Sequence, residues 1–205
     1  MQDGAAHEKM AASAPSAGSL NLSAPSAGSL VLVHSLSARA DLNGLVGTVS
    51  SEVDASTGRL AVRLPTSVTK APVLLKPQNT TLVNSLDAEL VDQVDPEHAA
   101  EVRERISTVQ SGATKTLDLD STGLRALPVS IAHLGGIGQL WLAGNAGMEP
   151  LPAAVVALQS LRVIDIDGCQ LLALPDALGY LPTLRKLYAN ENRLARLPLS
   201  LSKLR

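Results

Sequence analysis

The sequence predicts a multi-domain α/β chain: a small antiparallel β-barrel, then a helix, then a short solenoid of about four rows. Three observations carry this. Leu-Pro pairs recur at Leu127-Pro128, Leu151-Pro152, Leu174-Pro175 and Leu197-Pro198, so their starts lie 24, 23 and 23 residues apart. Short apolar runs punctuated by glycine fill Ser29 to Asn79, a texture suited to strands and tight turns. Between these regions, Asp95-Pro96-Glu97 has the chemistry of a helix start, an acidic cap followed by proline and a carboxylate.

Composition narrows the reading. Of 205 residues 45% are apolar, enough to bury a core, yet there is no Phe, one Trp and two Tyr. The core is therefore aliphatic, and the composition argues against platforms that stack nucleic-acid bases on aromatic rings. With a net charge of -2, nothing draws the chain to nucleic acid or to an anionic membrane. The single cysteine, Cys169, rules out an internal disulfide and a cysteine-based zinc site, and points to a reducing intracellular setting. That setting is expected to be cytoplasmic, with a plastid or mitochondrion as the alternative suggested by the Ala/Ser-rich start. The opening MQDGAAHEKM lacks the basic-then-apolar order of a secretory signal. No apolar run reaches the roughly 18 to 20 residues that a membrane span requires.

Taken in order, residues 1–28 are expected to form a flexible arm. They contain SAPSAGSL at Ser13–Leu20, and its second copy begins at Ser23, with too little apolar surface to offset ordering. Residues 29–84 are the expected barrel, with strands in SLVLVHSL, GTVSSEV, LAVRLP and APVLLKPQN. Gly44, Gly47 and Gly58 are expected at turns, and closure would hide the edges of such short strands. The segments LNGLVGTV, TGRLAVRL and KPQN resemble a Src-homology-3-like (SH3-like) barrel module joined to interaction domains in algal and protist proteins. The resemblance covers roughly Ser29 to Val83 and implies a role in protein interaction. Residues 85–112 read as a linker and a capping helix, with Val102 and Ile106 on its apolar face and Gly112 at its end.

Residues 113–205 align as LDLDSTGLRALPVSIAHL, LWLAGNAGMEPLPAAVVAL, IDIDGCQLLALPDALGYL and LYANENRLARLPLSLSKL. The rows fit L-x-x-L-x-L-x-x-N/C-x-L and so resemble leucine-rich repeats; the LPxxLxxL tails are similar to intracellular repeats of the Ras-interacting and plant Ras-group type. Such a row cannot bury its own leucines, so stacking is expected to bury Leu119, Leu142 and Ile166 in one core. The ninth positions, Thr122, Asn145, Cys169 and Asn192, are expected inside the turn, bonded to backbone, which makes Cys169 structural rather than nucleophilic. Gly147 is an extra residue in row two. Leu197, Leu201 and Leu204 have no later row over them and are expected to form an uncovered C-terminal edge.

The candidate binding surface is the outward column of the strands. Its fifth positions are Asp118, Trp141, Asp165 and Tyr188; its seventh are Asp120, Ala143, Asp167 and Asn190, with Glu191 alongside. Aromatics flanked by carboxylates suit a basic, partly apolar peptide. No catalytic, metal or cofactor residue is assigned. Row two separates the Asp pairs by about 10 Å, no nucleophile lies nearby, and His7, His34, His98 and His133 lack ligand spacing. The expectation is a non-enzymatic interaction protein that binds protein partners as an adaptor, scaffold or accessory subunit of a larger assembly. Two alternatives stay open: a regulator of a small GTPase, implied by the Ras-group resemblance, and a nucleic-acid-binding barrel using Arg59, Arg63, Lys70 and Lys76.

Overall fold

A computed structural model describes residues 25–204. Most of the expected 1–28 arm, including the first SAPSAGSL copy, lies outside the described residues, as does Arg205.

Strands β1 (Leu30–Val33), β2 (Val46–Asp54), β3 (Arg59–Arg63), β4 (Val73–Leu75) and β5 (Thr80–Leu82) form one antiparallel sheet in the order β4-β3-β2-β1-β5. Period-two alternation turns Val31, Val33, Leu60 and Val62 into the core, and Val46 and Val49 of β2 are buried as well, each 1% exposed or less. The expected closed barrel is not seen. Among the described residues β4 pairs only with β3 and β5 only with β1, so both edges stay open. Each edge strand has three residues and thus spans only about 10 Å, with the 3-10 turn Pro77–Asn79 between them, which leaves little strand to bend round and pair. Strand β5 was not expected from the sequence because Thr80-Thr81-Leu82 is polar and short; it is held in place by β1.

Gly44 and Gly58 sit at turns with φ of +81° and +64°. Gly47 does not: it lies within β2 opposite Val31, and a Cβ there would come within 2.6 Å of Val62 Cγ1 and 2.9 Å of the Arg63 carbonyl oxygen. It is a close-approach residue, not a turn residue. The β2–β3 hairpin is tied by Asp54, whose Oδ1 accepts from the Ser56 and Thr57 amides at 2.9 and 2.8 Å and from both hydroxyls. These bonds, led by the Ser56 hydroxyl, hold the Asp54 carboxyl down to about 2. A depressed carboxyl contributes stability above its unfolded value and loses it as pH falls through the folded one. An NMR titration is expected to show Asp54 protonating near pH 2, with the Ser56 and Thr57 amides moving together; midpoints near ordinary aspartate values would contradict this turn.

Two helices follow, α1 (Leu86–Val91) and α2 (Ala99–Gln110). Helix α2 begins later than Asp95-Pro96-Glu97 suggests, because those residues form a turn in which the His98 amide donates to the Asp95 carbonyl at 2.9 Å. Val102 and Ile106 are fully buried, and Gly112, at φ +78°, ends the helix with its N–H on the Val109 carbonyl.

Strands β6 (Thr116–Asp118), β7 (Gln139–Trp141), β8 (Val163–Asp165) and β9 (Lys186–Tyr188) form a second, parallel sheet in sequential order. Each is followed by a turn and a 3-10 segment: Val129–Leu134, Ala153–Ala157, Asp176–Tyr180 and Leu199–Lys203. Pro128, Pro152, Pro175 and Pro198 stand immediately before these segments, where a fixed φ and a missing N–H cost nothing. Leu117, Leu119, Leu140, Leu142, Ile164 and Ile166 are fully buried between strands and 3-10 returns. At the first row, α2 packs on β6, and the α1–α2 linker extends the backbone ladder: Arg125 N–H bonds the Gln93 carbonyl as Glu149 N–H bonds that of Arg125.

The antiparallel sheet lies against the 3-10 side of the rows. A Cβ on Gly44 would stand 3.3 Å from that of Ala153, and His133 Nε2 donates to the Asn84 carbonyl at 2.9 Å. At the last row the expected edge needs correcting in part. Leu197 is 61% exposed, but Leu201 and Leu204 are half-buried against the core, and Leu199, unassigned from the sequence, is 91% exposed.

Candidate functional site, the strand face

In-register pairing sets Asp118 beside Trp141, Trp141 beside Asp165 and Asp165 beside Tyr188. The odd strand positions point away from the buried leucines, so these four side chains form one row on the face that the antiparallel sheet leaves open. Asp118 and Tyr188 are exposed, and Trp141 and Asp165 half-buried. The indole of Trp141 is oriented by its Nε1, which donates to Gln139 Oε1 at 3.0 Å.

The seventh positions behave differently. Asp120 Oδ1 accepts the Ala143 amide of the next row at 2.7 Å, and Asp167 accepts both the amide and the side-chain Nδ2 of Asn190. Burial, the first cause, pushes the Asp120 carboxyl up despite that amide. Both carboxylates clip adjacent rows together, so part of the apparent acidic patch is engaged within the fold. Asp118 and Asp165 each accept only the amide two residues on, at 3.0 and 2.9 Å, and keep an oxygen for a ligand. Glu191 lies off the strand face: at φ +54° it takes the left-handed turn position filled by Ser121, Gly144 and Gly168 in the other rows.

One neighbouring charge was not assigned from the sequence. Arg105, on α2, donates to the Asp118 carbonyl at 2.7 Å, lies 3.6 Å from its carboxylate, and pairs with Glu101 at 2.6 Å. It flanks the first row and offsets negative charge there. The only signal available was its i, i+4 pairing with Glu101, which places it on the helix but not on the strand.

The ninth positions lie in the turns. Asn145 Nδ2 donates to the Leu119 and Leu142 carbonyls at 2.9 and 2.7 Å, and its Oδ1 accepts from Leu124 N–H at 2.9 Å. Asn192 repeats this on Ile166, Ala189 and Leu171; the Thr122 hydroxyl donates to the Leu119 carbonyl at 2.9 Å, and the Cys169 thiol faces the Leu142 and Asp167 carbonyls at 3.0 and 3.8 Å. Burial pushes the Cys169 thiol up, away from the thiolate that nucleophilic chemistry needs.

A side chain that closes each turn by bonding its backbone, buried in rows one to three and half-buried in row four, fits the leucine-rich pattern. The Leucine Rich Repeat family model matches residues 160–181, the span of row three. Row three thus matches a leucine-rich repeat, and the other three rows share its spacing. A solved leucine-rich-repeat protein of Leptospira interrogans is 30% identical over 48% of this chain and 25% of its own, with a TM-score of 0.42. The chain thus spans about a quarter of the length of that protein. No curated protein matches. Leucine-rich repeats generally mediate protein–protein contact, consistent with a non-catalytic role. Among the described residues no three His, Cys, Asp or Glu side chains gather as metal ligands, and no helix is long and apolar enough to cross a membrane.

Proposed function

We propose that this protein is a non-catalytic interaction module, acting as an adaptor or accessory subunit, whose four rows make a short solenoid that binds a basic, partly apolar segment of a partner on its strand face. The reading rests on one observation: Asp118, Trp141, Asp165 and Tyr188 stand side by side, alternately acidic and aromatic, on the uncovered face of the parallel sheet. Rings spaced two strands apart, about 10 Å, can each take an apolar side chain, while Asp165 between them takes a lysine or arginine. Residues 29–84 are read as the SH3-like module, supported by a meander whose last strand returns to pair with the first; that module braces the opposite side of the rows. The small-GTPase reading rests only on the resemblance of the LPxxLxxL tails.

The test is fluorescence anisotropy with a labelled peptide of alternating lysine and leucine. Trp141→Ala combined with Tyr188→Ala is expected to weaken binding at least roughly tenfold, and Asp165→Asn to flatten its salt dependence, with unchanged thermal stability. Equal affinity of the double variant and the parent, or no binding at low salt, would overturn the proposal.

A further inference from the structure

The four stretches that lead into the parallel strands, residues 109–115, 132–139, 156–163 and 179–186, hold Lys115, His133, Arg162, Arg185 and Lys186 but none of the chain's 19 acids. This basic edge is not flat. Lys115, Gly138, Arg162 and Arg185 are equivalent residues, each just before its strand, so row two has a glycine where the rows on either side carry a cation. The missing side chain opens a cleft of about 430 Å³ between rows one and three, lined chiefly by Lys115, Gly136, Gly138, Gln139, Ser160 and Arg162. A Cβ on Gly136 would lie 3.7 Å from Lys115 Nζ, so the ammonium leans over row two. His133 is engaged elsewhere, on the Asn84 carbonyl.

The polar groups left free in the cleft are donors. The Lys115 carbonyl already accepts the Gly138 and Gln139 amides, and the Gly138 carbonyl those of Arg162 and Val163. Gln139 Oε1 holds the Trp141 indole N–H, which leaves Nε2 to donate. Among the described residues neither Lys115 nor Arg162 forms an ion pair. The acids of the strand face, Asp118 and Asp165, lie three residues on from them, about 10 Å along the strands. Two cations, a carboxamide N–H and the Ser160 hydroxyl thus face one space with no carboxylate on its wall. Such a set fits an oxyanion with more than two acceptor oxygens. A phosphate monoester presents three, with a charge of about −1.5 to −2 at neutral pH, and a guanidinium takes two of them at once. A carboxylate has two oxygens and one charge, which leaves donors unmatched.

We propose that this cleft binds a phosphate monoester carried by a phosphorylated side chain of a partner protein. Arg162 clamps two oxygens, Lys115 takes the third, and Gln139 Nε2 and Ser160 Oγ donate beside them, in the room that Gly138 leaves. The cleft is half-open to solvent, so a phosphate on the end of a side chain enters it while the chain behind stays outside. The site stands independently of the peptide contact proposed for the strand face.

The probe is an end-blocked Gly-phosphoserine-Gly peptide, titrated into the full chain and followed by amide NMR shifts. Inorganic phosphate, Gly-Ser-Gly and Gly-Glu-Gly are titrated in parallel. The phosphopeptide is expected to shift the Gly136, Gly138, Gln139, Ser160 and Arg162 amides saturably, and to bind at least about fivefold more tightly than Gly-Glu-Gly. Inorganic phosphate should move the same amides and Gly-Ser-Gly none. Lys115→Gln and Arg162→Gln, both at exposed positions, are each expected to weaken the phosphopeptide at least about fivefold. Gly138→Glu sets a carboxylate between the cations and is expected to abolish binding, whereas Gly138→Ala keeps it within about twofold. A Cβ there meets only Lys115, at 3.8 and 3.9 Å, so neither change strains the fold. Gly-Glu-Gly binding as tightly as the phosphopeptide, no shift at these amides, or affinity indifferent to Arg162→Gln would each overturn the proposal. A response to inorganic phosphate without one to the phosphopeptide would overturn the phosphorylated side chain as its source.

Discussion

Asn145→Ala will lower the stability of the chain by about 3 kcal/mol, more than any single change on the strand face. Asn145 is 1% exposed and spans rows one and two with three hydrogen bonds. Its loss does not orphan every partner, since the Leu119 carbonyl keeps the Thr122 hydroxyl and that of Leu142 keeps the Cys169 thiol. What is orphaned is the buried Leu124 N–H, which has no other acceptor. An unsatisfied buried donor costs about 1 to 3 kcal/mol, and the two weakened carbonyls add to it. Asn145→Asp separates shape from charge: it keeps an acceptor for Leu124 but sets a carboxylate against two carbonyls. Its carboxyl will have a raised folded pKa, so that variant is most stable in acid and weakens as pH rises through that value. Cys169→Ala removes one thiol donor and is expected to cost about 1 kcal/mol. Urea unfolding of the three variants checks the order; an Asn145→Ala loss equal to that of Cys169→Ala would refute the role given to the amide.

The same residue shows why the repeats were legible in the sequence. A row buries leucine at fixed places because its neighbours must cover it, and the turn must hide a backbone-bonding side chain at another fixed place. Period and residue type therefore survive together, and the pairing of Asp118, Trp141, Asp165 and Tyr188 follows from counting along each row. Relations between non-equivalent segments leave no such trace. That β4 and β5 stop short of closing a barrel depends on strand length and on the 3-10 turn between them. That Gly47 serves close packing, not a turn, depends on where Val62 falls on the facing strand. Asp120 and Asp118 look alike in the sequence, yet only Asp120 reaches the next row's amide, because its strand position lies beside the start of the turn. Leu199 carries no mark of exposure: its equivalents Val129, Ala153 and Asp176 differ in polarity, and only the stack determines which is covered.

Gly179 illustrates the same limit with a measurable consequence. Aligning the rows sets it opposite Ala132 in row one and Val156 in row two, so alanine or valine would seem acceptable at this position. In the fold, a Cβ on Gly179 would fall on the backbone carbonyl of Ser200 in the last row. The 3-10 returns of rows three and four thus approach more closely than a side chain permits, and Gly179 is itself buried, leaving no outward escape. Gly179→Ala is expected to cost about 2 to 3 kcal/mol through overpacking, and Gly179→Val more, despite its match to row two. The loss should fall unevenly. Among the described residues row four is held on one side only, so the strain will be relieved by lifting that row, while rows one to three keep their core. Hydrogen exchange will then show faster exchange at the amides that tie row four down, those of Ile166, Gly168, Arg185 and Arg193, with little change at Leu119 or Leu142. Uniform acceleration would mean that row four is not a separable unit. Unchanged exchange with unchanged stability would mean that the two returns are not in contact at Gly179.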